Sequence, residues 1–216
     1  MNRKEIKEAA KAKIKGNKWN IIWPMLVISV ITSIISGLFG PKINIDFTNL
    51  ESLANIKVPT SYYAVNSIVA LLSGILSGCY LKYILDFVRT GKFDHNVIIK
   101  TLKEKWLNLL IADILVGIIV VLCSLLFVIP GIIMAIAYTY ATMIVIDSNL
   151  SGTEPLKKSR EMMKGYKWDY FVFGLSFIGW CLLIAPTFGL IMIWLFPYMV
   201  VANAMYYDKL KQKAGK

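Results

Sequence analysis

One histidine, three cysteines and three arginines stand in this chain of 216 residues. A lone His95 in a basic loop leaves no second imidazole for a zinc site. It also excludes the H-E-x-x-H helix of a metalloprotease, which needs two histidines. Cys79, Cys123 and Cys181 each lie inside an apolar run, so they read as small buried hydrophobes and not as a disulfide or zinc framework. No glycine-rich loop that could cradle a phosphate is present, and no metal or cofactor is expected. Acidic residues are scarce, 13 against 24 basic, for a net charge of +11. No recognition motif accompanies that charge, so nucleic acid is not the expected partner.

What is present is apolar surface: 57% of residues are hydrophobic and 17% charged. Such a chain is too apolar for an ordinary soluble domain and too uniform to divide, so residues 1–216 read as one all-α, polytopic membrane domain. The positive charge is almost all lysine, a bias that, with the many isoleucines, suits an AT-rich bacterial genome. The first apolar run follows a basic segment but has no small-residue cleavage pattern, and it reads as a retained transmembrane helix.

The most informative stretch is the last. Between Asp169 and Asp208 there are 38 uncharged residues. Wound as helix they would run about 57 Å, nearly twice a bilayer core of about 30 Å. The sequence therefore predicts two crossings broken at Ala185-Pro186-Thr187-Phe188-Gly189. Earlier in the chain, residues 1–18 read as a basic interfacial helix with Ile6, Ala10 and Ile14 on one stripe. Residues 19–87 read as a first hairpin with a polar outer loop over 41–60, and residues 88–147 as a basic segment and a second hairpin turning at Pro130-Gly131. A third basic segment and hairpin fill 148–208, and 209–216 are a basic tail. Ser73, Gly74, Ser77 and Gly78 predict close helix packing along the second crossing.

Charge asymmetry sets the expected orientation. The four segments on one side hold 7, 5, 5 and 4 basic residues, while the loops on the other hold two, none and none. Lys and Arg stay on the cytoplasmic side, which predicts six crossings with both termini in the cytoplasm. Asp86, Asp147 and Asp208 fall at intervals of 61 residues, and Lys105-Trp106 and Lys167-Trp168 lie 62 apart. A fixed period predicts duplicated units, here three parallel helical hairpins, each entered through a basic interfacial helix.

Asp113 is the one acid placed inside a crossing, which makes it a candidate proton or cation group, although water, Asn108 or a snorkelling lysine would also satisfy it. The candidates for contact with anionic lipid, or with a membrane protein partner, are Lys11, Lys15 and Lys18, Lys103 and Lys105, and Lys157, Lys158, Arg160, Lys164 and Lys167. Each lysine near an anionic surface contributes about 1 kcal/mol. Trp19, Trp106 and Trp168 read as interfacial anchors, and Tyr80, Tyr206 and Tyr207 as further members of the aromatic belt. Asp86 is placed to pair with Lys82.

The segments S-R-E-M-M-K-G-Y-K-W, L-S-F-I-G-W, T-F-G-L and W-L-F-P-Y-M in the stretch from Ser159 through Tyr207, with K-A-K-I-K-G-N-K-W near the N-terminus and P-G-I-I-M-A-I-A-Y in the centre, resemble the bacterial integral membrane family catalogued as domain of unknown function 975. The resemblance implies a multipass protein of the cytoplasmic membrane, distantly similar to membrane domains attached to some glycerophosphodiester phosphodiesterases. It supplies no catalytic residues. The leading expectation is a non-enzymatic accessory, scaffold or regulatory protein, and the alternative is a small transporter or lipid-handling protein with a path between hairpins.

Overall fold

The computed structural model describes residues 2–39 and 60–214, and these are almost entirely helical. Helix α1 (Arg3–Ile14) is opened by Asn2, whose side-chain oxygen accepts from the Glu5 N–H, and it buries Ile6, Ala10 and Ile14. Gly16, at φ 86°, takes the left-handed conformation that turns the chain into α2 (Lys18–Phe39). Helices α3 (Thr60–Thr90) and α4 (Asn96–Leu126) are each 31 residues long. Phe127 alone, in extended conformation, separates α4 from α5 (Val128–Tyr138), and α6 (Ala141–Asp147) continues that path after a break at Thr139-Tyr140. Then come the short basic α7 (Glu154–Met162), α8 (Lys167–Cys181) and α9 (Met192–Ala214).

Four of these segments are long and apolar enough to cross a membrane: Lys18–Phe39, Thr60–Thr90, Asn96–Leu125 and Val128–Asp147. The expected six crossings are therefore corrected to four, and no three-hairpin repeat emerges. Helix α8 has 15 residues, about 22 Å at 1.5 Å per residue, which is short of a bilayer core. Successive turns occupy residues 182–191, and the apolar part of α9 is interrupted by Asn203 and ends at Asp208. The uncharged length from 170 to 207 is thus divided among a short α8, the turns over 182–191 and α9, and does not make a third pair of spans.

Two further expectations change. The basic segment before Trp106 is not a separate interfacial helix, because α4 runs unbroken from Asn96 through it. The turn before the fourth crossing falls at Phe127, with Pro130 inside the first turn of α5, where a proline loses no needed donor. Gly131 sits against α4 there, and a Cβ on it would lie 3.0 Å from the Ser124 Cα. Gly78 makes the expected close contact, since a Cβ on it would lie 2.7 Å from Leu109 Cδ2 and 3.3 Å from Thr142 Cγ2. The expected outer loop 41–60 falls outside the described residues, apart from Thr60, which opens α3.

Helix α4 packs on α3, α5 and α6, while α9 crosses α1, α2 and α3. The buried core gathers at one end of this bundle, where Tyr83, Ile84 and Phe87 meet Tyr140, Met143, Ile144, Val201, Tyr206 and Tyr207. Away from it the helices carry exposed apolar side chains, among them Leu38, Leu125, Phe127 and Leu190. Apolar exposure on that scale is the surface a bilayer covers. Rings, not backbones, stand between α8 and α9: Phe173 and Tyr206 have centroids 4.9 Å apart, Phe177 and Tyr198 5.3 Å, and Trp180 and Trp194 5.3 Å.

Candidate functional site

Lys157, Arg160, Glu161 and Lys164 recur at helical spacing, so α7 and the turn after it present them on one side while Leu156, Ser159, Met162 and Met163 face the core. Ser159 fixes the helix by donating its hydroxyl to the Ala137 carbonyl of α5 at 2.9 Å. Gly165, at φ 83°, then reverses the chain so that Lys167 opens α8 beside the same side chains. The result is an open cleft of about 500 Å³ lined by Lys157, Arg160, Glu161, Lys164 and Lys167. Lys158 is exposed next to it. Among the described residues none of the four lining cations is in an ion pair.

Lys167 also borders a second cavity of about 350 Å³, whose other walls are Ile129, Ile132, Ile133 and Ile136 on α5 with Trp168 and Phe171 on α8. The cationic cleft thus runs into an apolar groove on a spanning segment.

A related corner joins α1 to α2. Lys11, Lys15 and Lys18 have the spacing of Arg160, Lys164 and Lys167, and both corners read K-G-x-K-W with the glycine at positive φ. The residues one before the first two cations, Ala10 and Ile14 in one corner and Ser159 and Met163 in the other, are buried in both. Here, however, Trp194 and Tyr198 of α9 form part of the wall, and the cavity is smaller, about 190 Å³. Lys11 lies over the Tyr198 ring at 5.7 Å. Lys7, one turn earlier, is over Phe177 at 4.5 Å, and burial together with Lys11 and Arg3 lowers its pKa.

The middle segment departs from this design. Lys103 stands where the corners have glycine, the helix continues, and Lys103 is exposed. Lys105 instead turns inward and donates to the carbonyls of Val145, Ile146 and Ser148 at 3.0, 3.3 and 2.7 Å. These are the orphan acceptors at the end of α6, so Lys105 is a helix C-terminal cap and not a surface contact.

The acidic residues with the long sequence period are largely consumed in structure. Arg89 Nη2 bonds Asp147 Oδ2 at 3.0 Å and Asp208 Oδ1 at 2.6 Å, and Lys211 also reaches Asp147. Asp86 pairs with Lys82 at 2.8 Å, as its spacing predicts. Arg89 was not among the sequence candidates, although its place three residues after Asp86, matched by Lys211 three after Asp208, was a legible sign. Tyr206 and Tyr207 do not belong to an aromatic belt. Both are fully buried, Tyr206 donating to Asp169 at 2.9 Å and Tyr207 to Asp147 at 3.0 Å. Tyr80 is buried as well.

Asp113 lies between α3, α4 and α6. Its Oδ1 accepts from the Thr142 hydroxyl at 3.2 Å, and Gly74 leaves room for the other oxygen, since a Cβ there would fall 2.5 Å from Oδ2. The carboxylate opens on a cavity of about 350 Å³ that Ser77 also lines. Trp19, Trp106 and Trp168 are 70%, 48% and 73% exposed. Cys79 and Cys123 are free thiols, and among the described residues no cluster of three metal-ligating side chains occurs.

A family described as protein of unknown function (DUF975) matches residues 1–142 and 125–214. The chain belongs to that family. This member of DUF975 is accordingly an integral membrane protein, in keeping with the four segments among its described residues that are long and apolar enough to span. No curated protein and no solved structure matches it.

Proposed function

We propose that this protein is a non-enzymatic accessory or scaffold of the bacterial cytoplasmic membrane that gathers anionic lipid at its cytoplasmic face through its basic helical corners. The observation that carries the reading is how the cations divide. Arg89 and Lys211 are paired with the buried Asp147, Arg89 also with Asp208, Lys82 with Asp86, and Lys209 with Glu5 at the surface. Lys15, Lys18, Lys157, Lys158, Arg160 and Lys164 remain exposed, clustered at two corners each followed by an exposed tryptophan. Charge left out of the fold but held on rigid helix ends is available to phosphate groups, and the positive-inside rule puts both termini in the cytoplasm.

The test is purification from the native membrane in mild detergent, with mass spectrometry of the lipids and proteins that accompany the chain. Enrichment of anionic over zwitterionic lipid, reduced when Lys157, Lys158 and Arg160 are reversed to Glu, is the expected result. Lipid in the proportions of the bulk membrane would sink the reading, and a stoichiometric protein partner would replace lipid by that partner as what the corners hold.

The Asp113 groove favours a second reading, a small transporter or lipid-handling protein. That reading requires flux in proteoliposomes that Asp113→Asn abolishes at unchanged expression; flux that survives the substitution removes Asp113 from it.

A further inference from the structure

We infer that the α7–α8 corner is a discrete binding site for one anionic phospholipid of the phosphatidylglycerol type, its phosphate in the cationic cleft and an acyl chain along the α5–α8 groove. This rests on the lipid-gathering reading above and assigns it a place.

Three observations converge. Four cations without ion-pair partners among the described residues surround a single carboxylate, Glu161, so the cleft carries a surplus of three positive charges. A zwitterionic headgroup would leave that surplus standing, whereas an anionic one reduces it. Glu161, which when ionised can only accept, suits a headgroup that carries hydroxyl donors and opposes a bare phosphomonoester. Second, the cleft and the groove share Lys167, so a single molecule with a charged head and an apolar tail fills both. From Ile129 to Ile136 the groove follows about 10 Å of helix. That wall belongs to a spanning segment with Ile129 and Ile133 exposed, so in the membrane the neighbour it meets is hydrocarbon. Third, the α1–α2 corner offers a built-in comparison. It repeats the three cations at the same spacing, but its cavity is smaller, about 190 Å³, and is walled by Trp194 and Tyr198 with no adjoining apolar groove that shares a lysine with it. Charge alone is common to both corners; charge leading into an open apolar groove is particular to α7–α8.

The experiment is native mass spectrometry of the detergent-solubilised full chain with phosphatidylglycerol, phosphatidylcholine and phosphatidylethanolamine added at equal concentration. Wild type is expected to retain one phosphatidylglycerol per chain in preference to both zwitterionic lipids. Lys157→Gln/Arg160→Gln/Lys164→Gln should lower that retention by about tenfold or more, the exposed positions leaving the fold intact. Ile133→Trp, which fills the groove and leaves the cations in place, should lower it too. Lys11→Gln/Lys15→Gln/Lys18→Gln should not.

Retention unchanged in both α7–α8 variants overturns the site, as does equal retention of phosphatidylethanolamine. Sensitivity to the cations but not to Ile133→Trp, with inorganic phosphate competing as well as the lipid does, would make the cleft a phosphate site and overturn the assignment to lipid. The two readings fail separately. Anionic lipid enriched around wild type with no retained lipid dependent on α7–α8 removes the site and leaves the lipid-gathering function. Absence of any anionic enrichment removes both.

Discussion

Tyr83 donates its hydroxyl to the main-chain carbonyl of Asn20 at 2.9 Å. Asn20 lies four residues before Pro24, inside α2, and proline has no N–H to return to that carbonyl. Tyr80 does the same for the next carbonyl, Ile21, also at 2.9 Å. An empty acceptor covered by a packed neighbouring helix is costly, so Tyr83 of α3 supplies the donor that the α2 ladder lacks at Asn20. Tyr83→Phe should therefore destabilise the protein by about 1–2 kcal/mol. The loss should shrink in a Pro24→Ala background, where the restored main-chain N–H takes over the Asn20 carbonyl. A double-mutant cycle on thermal unfolding in detergent reads the coupling, and additivity of the two substitutions would show that the proline and the tyrosine are independent.

The Arg89 cluster ties α3, α6 and α9 together. The Asp147 side chain is 5% exposed and Asp208 19%, so the two acids are not equivalent partners. Removing Arg89 with Arg89→Gln leaves Asp147 with Lys211 as its one remaining cation, at an expected cost of about 2 kcal/mol, discounted for the exposure of the guanidinium and for that second partner. Asp208→Asn should cost less. Unfolding midpoints of the two variants in the same detergent check the order, and a larger loss from Asp208→Asn would contradict it.

Tyr206 and Tyr207 lie outside the spanning segments, and the pKa of each is raised, first by burial and then by the carboxylate it bonds, Asp169 for one and Asp147 for the other. A phenol whose folded-state pKa exceeds its unfolded value, about 10, contributes stability that is fully present below pH 10 and lost as pH rises beyond it. Stability should thus fall above about pH 10, and Tyr206→Phe/Tyr207→Phe should flatten that fall. Near-ultraviolet absorbance of tyrosinate, followed beside unfolding, provides the check; these two phenols should ionise only as the fold is lost.

Close helix approach can be tested at two glycines. Gly131→Ala places a Cβ 3.0 Å from the Ser124 main chain, which cannot swing aside as a side chain does, and should cost about 1–3 kcal/mol by parting α4 from α5. Gly117 has nothing within 4 Å of its added Cβ. Gly117→Ala should be neutral or stabilise by up to about 1 kcal/mol, since alanine is the better helix former. Equal effects of the two substitutions on thermal unfolding would count against the packing argument.

Much of the architecture was legible from local composition, because hydrophobic length and charge placement act residue by residue. The span from Lys18 to Phe39, the long second and third crossings, the buried stripe Ile6, Ala10 and Ile14, and the Lys82–Asp86 pair all follow from spacing within one helix. The cations of the α7–α8 corner were legible for the same reason, as members of one helical face. What local composition could not decide is what each group meets. An uncharged run of 38 residues permits two crossings, yet ring packing between α8 and α9 and the turns over 182–191 left one helix too short to span. Tyr206 and Tyr207 look interfacial by type, and only their neighbours α1, α6 and α8 bury them. Lys105 resembles Lys18 and Lys167 in sequence, but the end of α6 lies within its reach, and among the described residues the other two meet no such acceptor. Arg89 gained its role from two aspartates 58 and 119 residues away. Hydrophobicity chooses the solvent a segment prefers; partners distant in the chain choose which polar groups are consumed in the fold and which are left to bind.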